Sequence, residues 1–257
     1  MLQADFGKTV KDYARHRAGF PTVLFDRLAG LGVGGAGQRL LDLGTGTGSL
    51  ALGFAGRGAA VTALDPSENM LSQVRAQAAA DGLAVETVCA GAESTGLPAS
   101  SYDAVVAGQC WHWFDRARAA AEAWRLLKPG GRLAICHFDW IPLSGNAAAA
   151  TEQLIERHNP AWDMGGGTGL YPNWLADAAD AGFVDLQTFS FDVTVPYTHE
   201  AWRGRIRASA GVGGSLSAAA IDDFDRAHAE MLARDFPAEP LEILHRVFVM
   251  LSTAAHA

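Results

Sequence analysis

The sequence predicts an α/β protein built on a doubly wound, mostly parallel sheet, and three observations predict it. Short apolar runs alternate with helical patterns from residue 20 to 138, as strands joined by helical crossovers do. The first strand ends in Leu40-Leu41-Asp42-Leu43 and runs into glycines at 44, 46 and 48, with a helical pattern directly behind them. The second strand, Ala60-Val61-Thr62-Ala63-Leu64, ends in Asp65, about 20 residues beyond the glycines, where an α/β nucleotide site places a carboxylate on ribose hydroxyls.

The elements follow in order. Helices are expected at 20–31, 48–57, 67–81 and 115–128, and strands at 39–44, 60–65, 84–90, 102–108 and 131–138. The helix from 48 points its N–H groups and positive dipole end at the glycine turn. Ser67 can cap the helix that starts there, and Glu68 in its first turn suits the dipole. Lys128-Pro129-Gly130-Gly131 reads as a sharp turn feeding the fifth strand. The alternation breaks after Phe138. Residues 139–175 hold Trp140, Trp162 and Trp174, a Gly165-Gly166-Gly167 run and an alanine tract at 147–150 that reads as helix. Residues 183–195 read as extended, 198–235 as helical around Gly211-Val212-Gly213-Gly214, and Ile243 to Leu251 as a last strand.

Composition bounds the function. With 257 residues, 49% of them hydrophobic, the chain suffices for one large α/β domain with additions. A net charge of −8 argues against a general nucleic-acid binder, which needs a basic face. Met1 to Gly19 is polar and charged, unlike a signal peptide, and no apolar run approaches the roughly 20 residues of a membrane span. A cytoplasmic protein is expected. The three cysteines, Cys89, Cys110 and Cys136, lack the spacing of a zinc site or a disulfide framework. No metal is expected, and each cysteine, at or near a strand end, reads as a buried packing residue.

The glycine turn selects among ligands. The dinucleotide fingerprint is Gly-x-Gly-x-x-Gly; here the third glycine comes one residue early, and Ser49 stands where the fingerprint needs it. Asp42 would repel a pyrophosphate and suits a cationic or ammonium-bearing ligand. Taken alone, the same residues also describe a plain glycine-rich surface turn, and Asp65 a simple helix cap.

Asp42-x-Gly44-x-Gly46-x-Gly48 resembles motif I of the class I S-adenosylmethionine-dependent methyltransferases. Gly91-Ala92-Glu93-Ser94-Thr95-Gly96-Leu97-Pro98 and Gly108-Gln109-Cys110-Trp111-His112-Trp113-Phe114-Asp115 are similar to strings of the type 11 and trans-aconitate-like small-molecule subgroup. Leu126 to Gly131 resembles its turn before strand 5, and Tyr13-Ala14-Arg15-His16-Arg17-Ala18-Gly19-Phe20-Pro21 a segment that folds over the cofactor, with Ala18 where a proline is common. The resemblance covers residues 10–140 and is architectural beyond.

The resemblance implies a Rossmann-like seven-stranded sheet of order 3-2-1-4-5-7-6 with an antiparallel last strand. It implies a single domain over 1–257, a cofactor-covering segment at 1–30, and helical lid additions at 139–175 and 198–240 on the substrate side. It implies S-adenosyl-L-methionine as cofactor, held by Tyr13, Arg17, Asp42, Gly44, Thr45, Gly46 and Asp65. Pro66, Met70, Ala92, Glu93, Gln109 and Cys110 complete that set, with Ala92 and Glu93 beside the adenine.

The expected chemistry is methyl transfer to a small molecule by in-line displacement at the sulfonium, oxygen being the favoured acceptor atom. The protein then mainly orients and desolvates. A base is needed only for a protonated acceptor. His112, after strand 4, and His137, near the end of strand 5, are the candidates; each also reads as a hydrogen-bonded or stacking residue of the cleft wall. Trp113, Trp140 and Trp162 are candidate acceptor contacts, against an ordinary core role. Arg203 and Arg207, four apart in the densest basic cluster, can bind a carboxylate or phosphate, or pair with acids such as Glu200. A non-methylating use of the cofactor, such as cyclisation, and a non-catalytic binding module stay open, as does a monomer or a homodimer.

Overall fold

The computed structural model describes residues 18–255. A seven-stranded mixed sheet runs in the order β3-β2-β1-β4-β5-β7-β6, the order expected. The strands are β1 Arg39–Leu43, β2 Ala60–Asp65, β3 Val85–Cys89, β4 Tyr102–Gly108, β5 Leu127–Trp140, β6 Phe183–Tyr197 and β7 Leu241–Ala254. The helices of the described residues are α1 Thr22–Gly30, α2 Ser49–Ala55, α3 Glu68–Ala80, α4 Arg116–Leu126, α5 Ala147–His158, α6 Trp174–Asp180, α7 His199–Arg207 and α8 Ala218–Asp235, with a 3-10 turn at Trp111–Trp113.

Contacts divide the chain into two compact units. Among the described residues, one comprises Gly19–Phe138, Tyr171–Phe191 and the chain from Val247; the other holds Asp139–Leu170 and Asp192–Arg246. The first is built around parallel strands buried on both faces. Four of the five residues of β1 are buried, and five of the six of β2, so both read as continuous apolar runs. The core of this unit joins Leu41, Leu43, Leu64, Val105 and Ile135 to Ala119, Ala123 and Leu126 of α4. The second unit has its own core, in which Leu154 and Ile155 of α5 meet Trp202, Ile206, Phe224 and Leu232.

Caps set the helix starts. Ser67 accepts from the Met70 N–H as expected, and Asp115, Asn146, Thr198 and Ser217 cap α4, α5, α7 and α8 in the same way. One turn differs from expectation. Tyr102 pairs with Leu127, yet Ala104 pairs with Arg132. The Lys128–Gly131 stretch is therefore a bulge looped out of β5, not a turn ahead of it. Lys128 Nζ fixes the bulge by donating to Asp103 Oδ1 at 2.6 Å.

Register aligns the carboxyl ends of the strands. Leu43 lies beside Leu64 and Ala107, Asp65 beside Cys89, and Gly108 beside Cys136. The glycine turn, Asp65, Gln109 and His137 thus share one edge of the sheet, where the strand order reverses between β1 and β4. Such a switch point is where open α/β sheets bind ligands.

Candidate active site at the carboxyl ends of the strands

The turn after β1 is braced from beneath. Asp42 is 1% exposed. Its Oδ2 accepts from the Thr45 hydroxyl at 2.6 Å and from the Ala51 N–H at 3.1 Å. The turn is thereby tied to the first turn of α2. The Thr45 hydroxyl is turned inward, and the Asp42 Oδ1 is buried with no partner among the described residues. Burial pushes the Asp42 carboxyl up to about 7 against the hydrogen bonds from Thr45 and Ala51, and the charge of Asp65 adds to the rise.

That shift has a sign. The folded value lies above the unfolded one. The stability the group confers is therefore complete below about pH 4, declines through the interval, and is gone above about pH 7. Asp42→Asn should gain on the wild type as pH rises. The urea midpoints of the two proteins should diverge in the variant's favour between pH 5 and pH 8; parallel curves would show that Asp42 titrates as it does in the unfolded chain.

Two glycines shape the upper face. Gly44 has φ +64, and a Cβ there would lie 2.8 Å from Phe114 and 3.0 Å from Cys110. Gly46 has φ +56, but a Cβ there would meet no described residue within 4 Å. The first glycine is required by packing, and the second is open with respect to the described residues, as a turn that meets a ligand with its backbone requires. Asp65 faces the same turn. Its Oδ2 accepts from the Gly46 N–H and its Oδ1 from the Ser67 N–H, both at 2.9 Å. Each carboxylate oxygen keeps a lone pair for a further donor.

The remaining predicted cofactor residues divide. Pro66 is exposed and Met70 half-buried at the start of α3. Gln109 has φ +59, and its Nε2 donates to the Phe138 carbonyl at 2.9 Å. Cys110 walls the turn: it is buried, and its thiol donates to the Leu43 carbonyl at 3.1 Å. Ala92 is buried in the core, and Glu93 Oε1 accepts the Asp115 N–H at 3.0 Å, which holds one loop to the next. Cys89 is exposed, contrary to the expectation that all three cysteines are buried. Tyr13 and Arg17 lie outside the described residues.

The two histidines come together. The rings of His112 and His137 meet edge to face with centroids 5.3 Å apart. His137 is 6% exposed and also lies edge-on to Tyr171 at 4.5 Å and Trp174 at 5.6 Å. Tyr171 and Trp174 stack flat on each other at 4.2 Å. Trp111 anchors the string by donating from Nε1 to Asp177 Oδ2 of α6 at 3.0 Å. Trp113 is 46% exposed, with its ring 4.6 Å from His112. Sequence reasoning missed Tyr171 and Asp177, because no local pattern joins positions 66 residues apart.

The other predicted acceptor contacts belong to the second unit. Trp140 donates to Glu152 Oε1 at 2.7 Å, and Trp162 packs beside Gly165 and Gly211. Arg203 and Arg207 take the ion-paired arrangement, the alternative to acceptor binding. Both pair with Asp225 and Glu200, Arg203 through Nε at 3.0 Å and Arg207 through Nη1 at 2.7 Å to the same Asp225 oxygen. Their donors serve an ion-pair network joining α7 to α8. Asp225→Ala should lower stability by roughly 2 kcal/mol, less than a fully buried pair because both arginines keep some solvent; an unchanged urea midpoint would make the network ornamental.

Residues 41–135 match the family model of a methyltransferase domain. The chain is 40% identical over 134 residues to an uncharacterized methyltransferase of Mycobacterium tuberculosis, with 52% of each chain covered. It is 34% identical over 139 residues to the 27-O-demethylrifamycin SV methyltransferase of Amycolatopsis mediterranei, covering 52% of this chain and 51% of that one. The chain thus spans about half the length of these curated relatives. Across nearly its whole length it shares a fold with the structure of a putative type II methyltransferase from Anaeromyxobacter dehalogenans: TM-score 0.64, 24% identity, 94% of this chain and 99% of that one. The matched domain and this strand order are those of the class I S-adenosylmethionine-dependent methyltransferases, the family this chain resembles.

Proposed function

We propose that this chain methylates a small-molecule acceptor with S-adenosylmethionine, oxygen being the favoured atom. The observation that carries the reading is the bracket formed by the Gly46 N–H and the Asp65 carboxylate at a turn where no described residue lies within 4 Å of a Gly46 Cβ. The donor set suits that cofactor. Acids end or underlie both strands, and no lysine or arginine stands between Arg39 and Arg57 to neutralise a phosphate.

When bound, S-adenosylmethionine supplies a methyl group on a positively charged sulfur, already activated for displacement. Asp65 would hold the ribose hydroxyls with its remaining lone pairs, pre-set by Gly46 and Ser67. The turn at Gly44 and Gly46 would take the zwitterionic end against its backbone. His112 would accept the proton of a hydroxyl acceptor, with His137 fixing its ring. The additions at 139–175 and 198–240 would choose the acceptor. The small-molecule reading is supported by the relative named for 27-O-demethylrifamycin SV.

The test is incubation with methyl-labelled cofactor and a panel of hydroxylated small molecules. Label should enter a product, with one S-adenosylhomocysteine formed per turnover. Product formed without label would instead favour a non-methylating use of the cofactor.

A further inference from the structure

Helix α7 carries three arginines, and they divide. Arg203 and Arg207 turn to Asp225 and Glu200. Arg205 lies two residues from each, off their face of the helix, and is only 9% exposed. A guanidinium does not lose its proton in proteins, and a charge buried without a partner is costly. Among the described residues none forms an ion pair with Arg205 or accepts a hydrogen bond from it.

The acids that might have served are committed elsewhere. Asp225 and Glu200 hold the other two arginines. Glu152, the buried acid of α5, accepts from Trp140 at 2.7 Å and from the Gly166 N–H at 2.8 Å. Asp139 acts on Arg205 through its charge but makes no ion pair with it. Arg205 lies instead over the Trp140 ring, 4.8 Å from its centroid. The indole takes one flat face of the guanidinium and leaves the donors along its edge. Tyr197 completes the surroundings, stacked on His245 at 5.8 Å and edge-on to Trp202 at 5.3 Å.

We propose that Arg205 is the anchor for the carboxylate of a small-molecule ligand, received in the fork of the guanidinium edge with the ligand's apolar body against Trp140 and Tyr197. A planar monoanion matches both the fork and the single charge. A phosphate dianion would leave excess negative charge in a buried place that Asp139 already makes acidic. The carboxylate site stands independently of the methyl-transfer reading.

Binding of benzoate, cinnamate and octanoate, each beside its neutral amide, tests the proposal by tryptophan fluorescence and thermal shift on the full chain. At least one acid should bind saturably and its amide should not. Arg205→Met should weaken that binding by about tenfold or more, and Arg205→Lys, which keeps the charge and loses the fork, should fall between. The lysine variant decides the matter if the methionine variant does not fold. Calorimetry with S-adenosylhomocysteine should give the same affinity in wild type and variants. The proposal is overturned if no acid binds, if acid and amide bind alike, if binding survives in the variants, or if inorganic phosphate binds in their place. Failure of the wild type to bind S-adenosylhomocysteine would instead sink the methyltransferase reading and leave the carboxylate result standing.

Discussion

In calorimetry, Asp65→Ala should bind S-adenosylhomocysteine about 100-fold more weakly than the wild type, a loss of roughly 2.8 kcal/mol. The carboxylate accepts two backbone N–H groups at 2.9 Å, one from the glycine turn and one from the start of α3. Hydrogen bonds to a charged group contribute about 1.5–3 kcal/mol each. Alanine removes both, releases Gly46 from its fixed position and takes away the acceptors proposed for the ribose. The sheet beneath is untouched, because β2 is held by parallel pairing with both β1 and β3. Asp65→Asn keeps one accepting oxygen and turns an amide donor towards the other N–H, so it should fall between, near tenfold. Gly46→Val reaches the same end from the opposite side. It forces a β-branched residue into φ +56 and fills the open space above the turn. Binding within twofold of wild type in Asp65→Ala would remove this bracket from the cofactor site.

The fold was legible because its strands are short, apolar and separated by glycine. β1 to β4 begin and end within one residue of expectation, with β2 and β4 matching at both ends. β5 began early because Leu127 pairs with Tyr102 across a bulge, and a bulge leaves no mark in the periodicity. The site was legible where backbone chemistry dictates residue type, as at Gly46 and Asp65. It was less legible where a side chain could turn either way. Asp42 and Cys110 sit at positions that face a ligand or the core equally well on paper, and burial took both inward. The arginines of α7 show the same limit. Arg203 and Arg207 stood out by their spacing, yet their counter-ion Asp225 lies on another helix. Arg205, between them, drew no attention because nothing local marks a buried cation.

Replacing His112 by glutamine should slow methyl transfer to a hydroxyl acceptor by about 100-fold to 1,000-fold, the span expected for loss of a positioned base. His112 sits on the 3-10 turn directly after β4, half-buried beside the exposed ring of Trp113. His137 is buried, and the rings of His112, Tyr171 and Trp174 lie edge-on to it. Access thus favours His112 for the proton, and packing favours His137 as the residue that orients it. The two substitutions should separate in their signatures. His112→Gln should lower kcat, abolish the acid limb of the pH–rate profile and leave S-adenosylhomocysteine affinity unchanged. His137→Phe keeps the edge-to-face packing with Tyr171 and Trp174; it should lower kcat by about tenfold and preserve the shape of the profile. An acceptor already ionised, such as a carboxylate, needs no base, so its methylation should be nearly insensitive to His112→Gln. If both variants lose rate equally and keep the same profile, neither histidine takes the proton, and the pair serves only as the wall of the cleft.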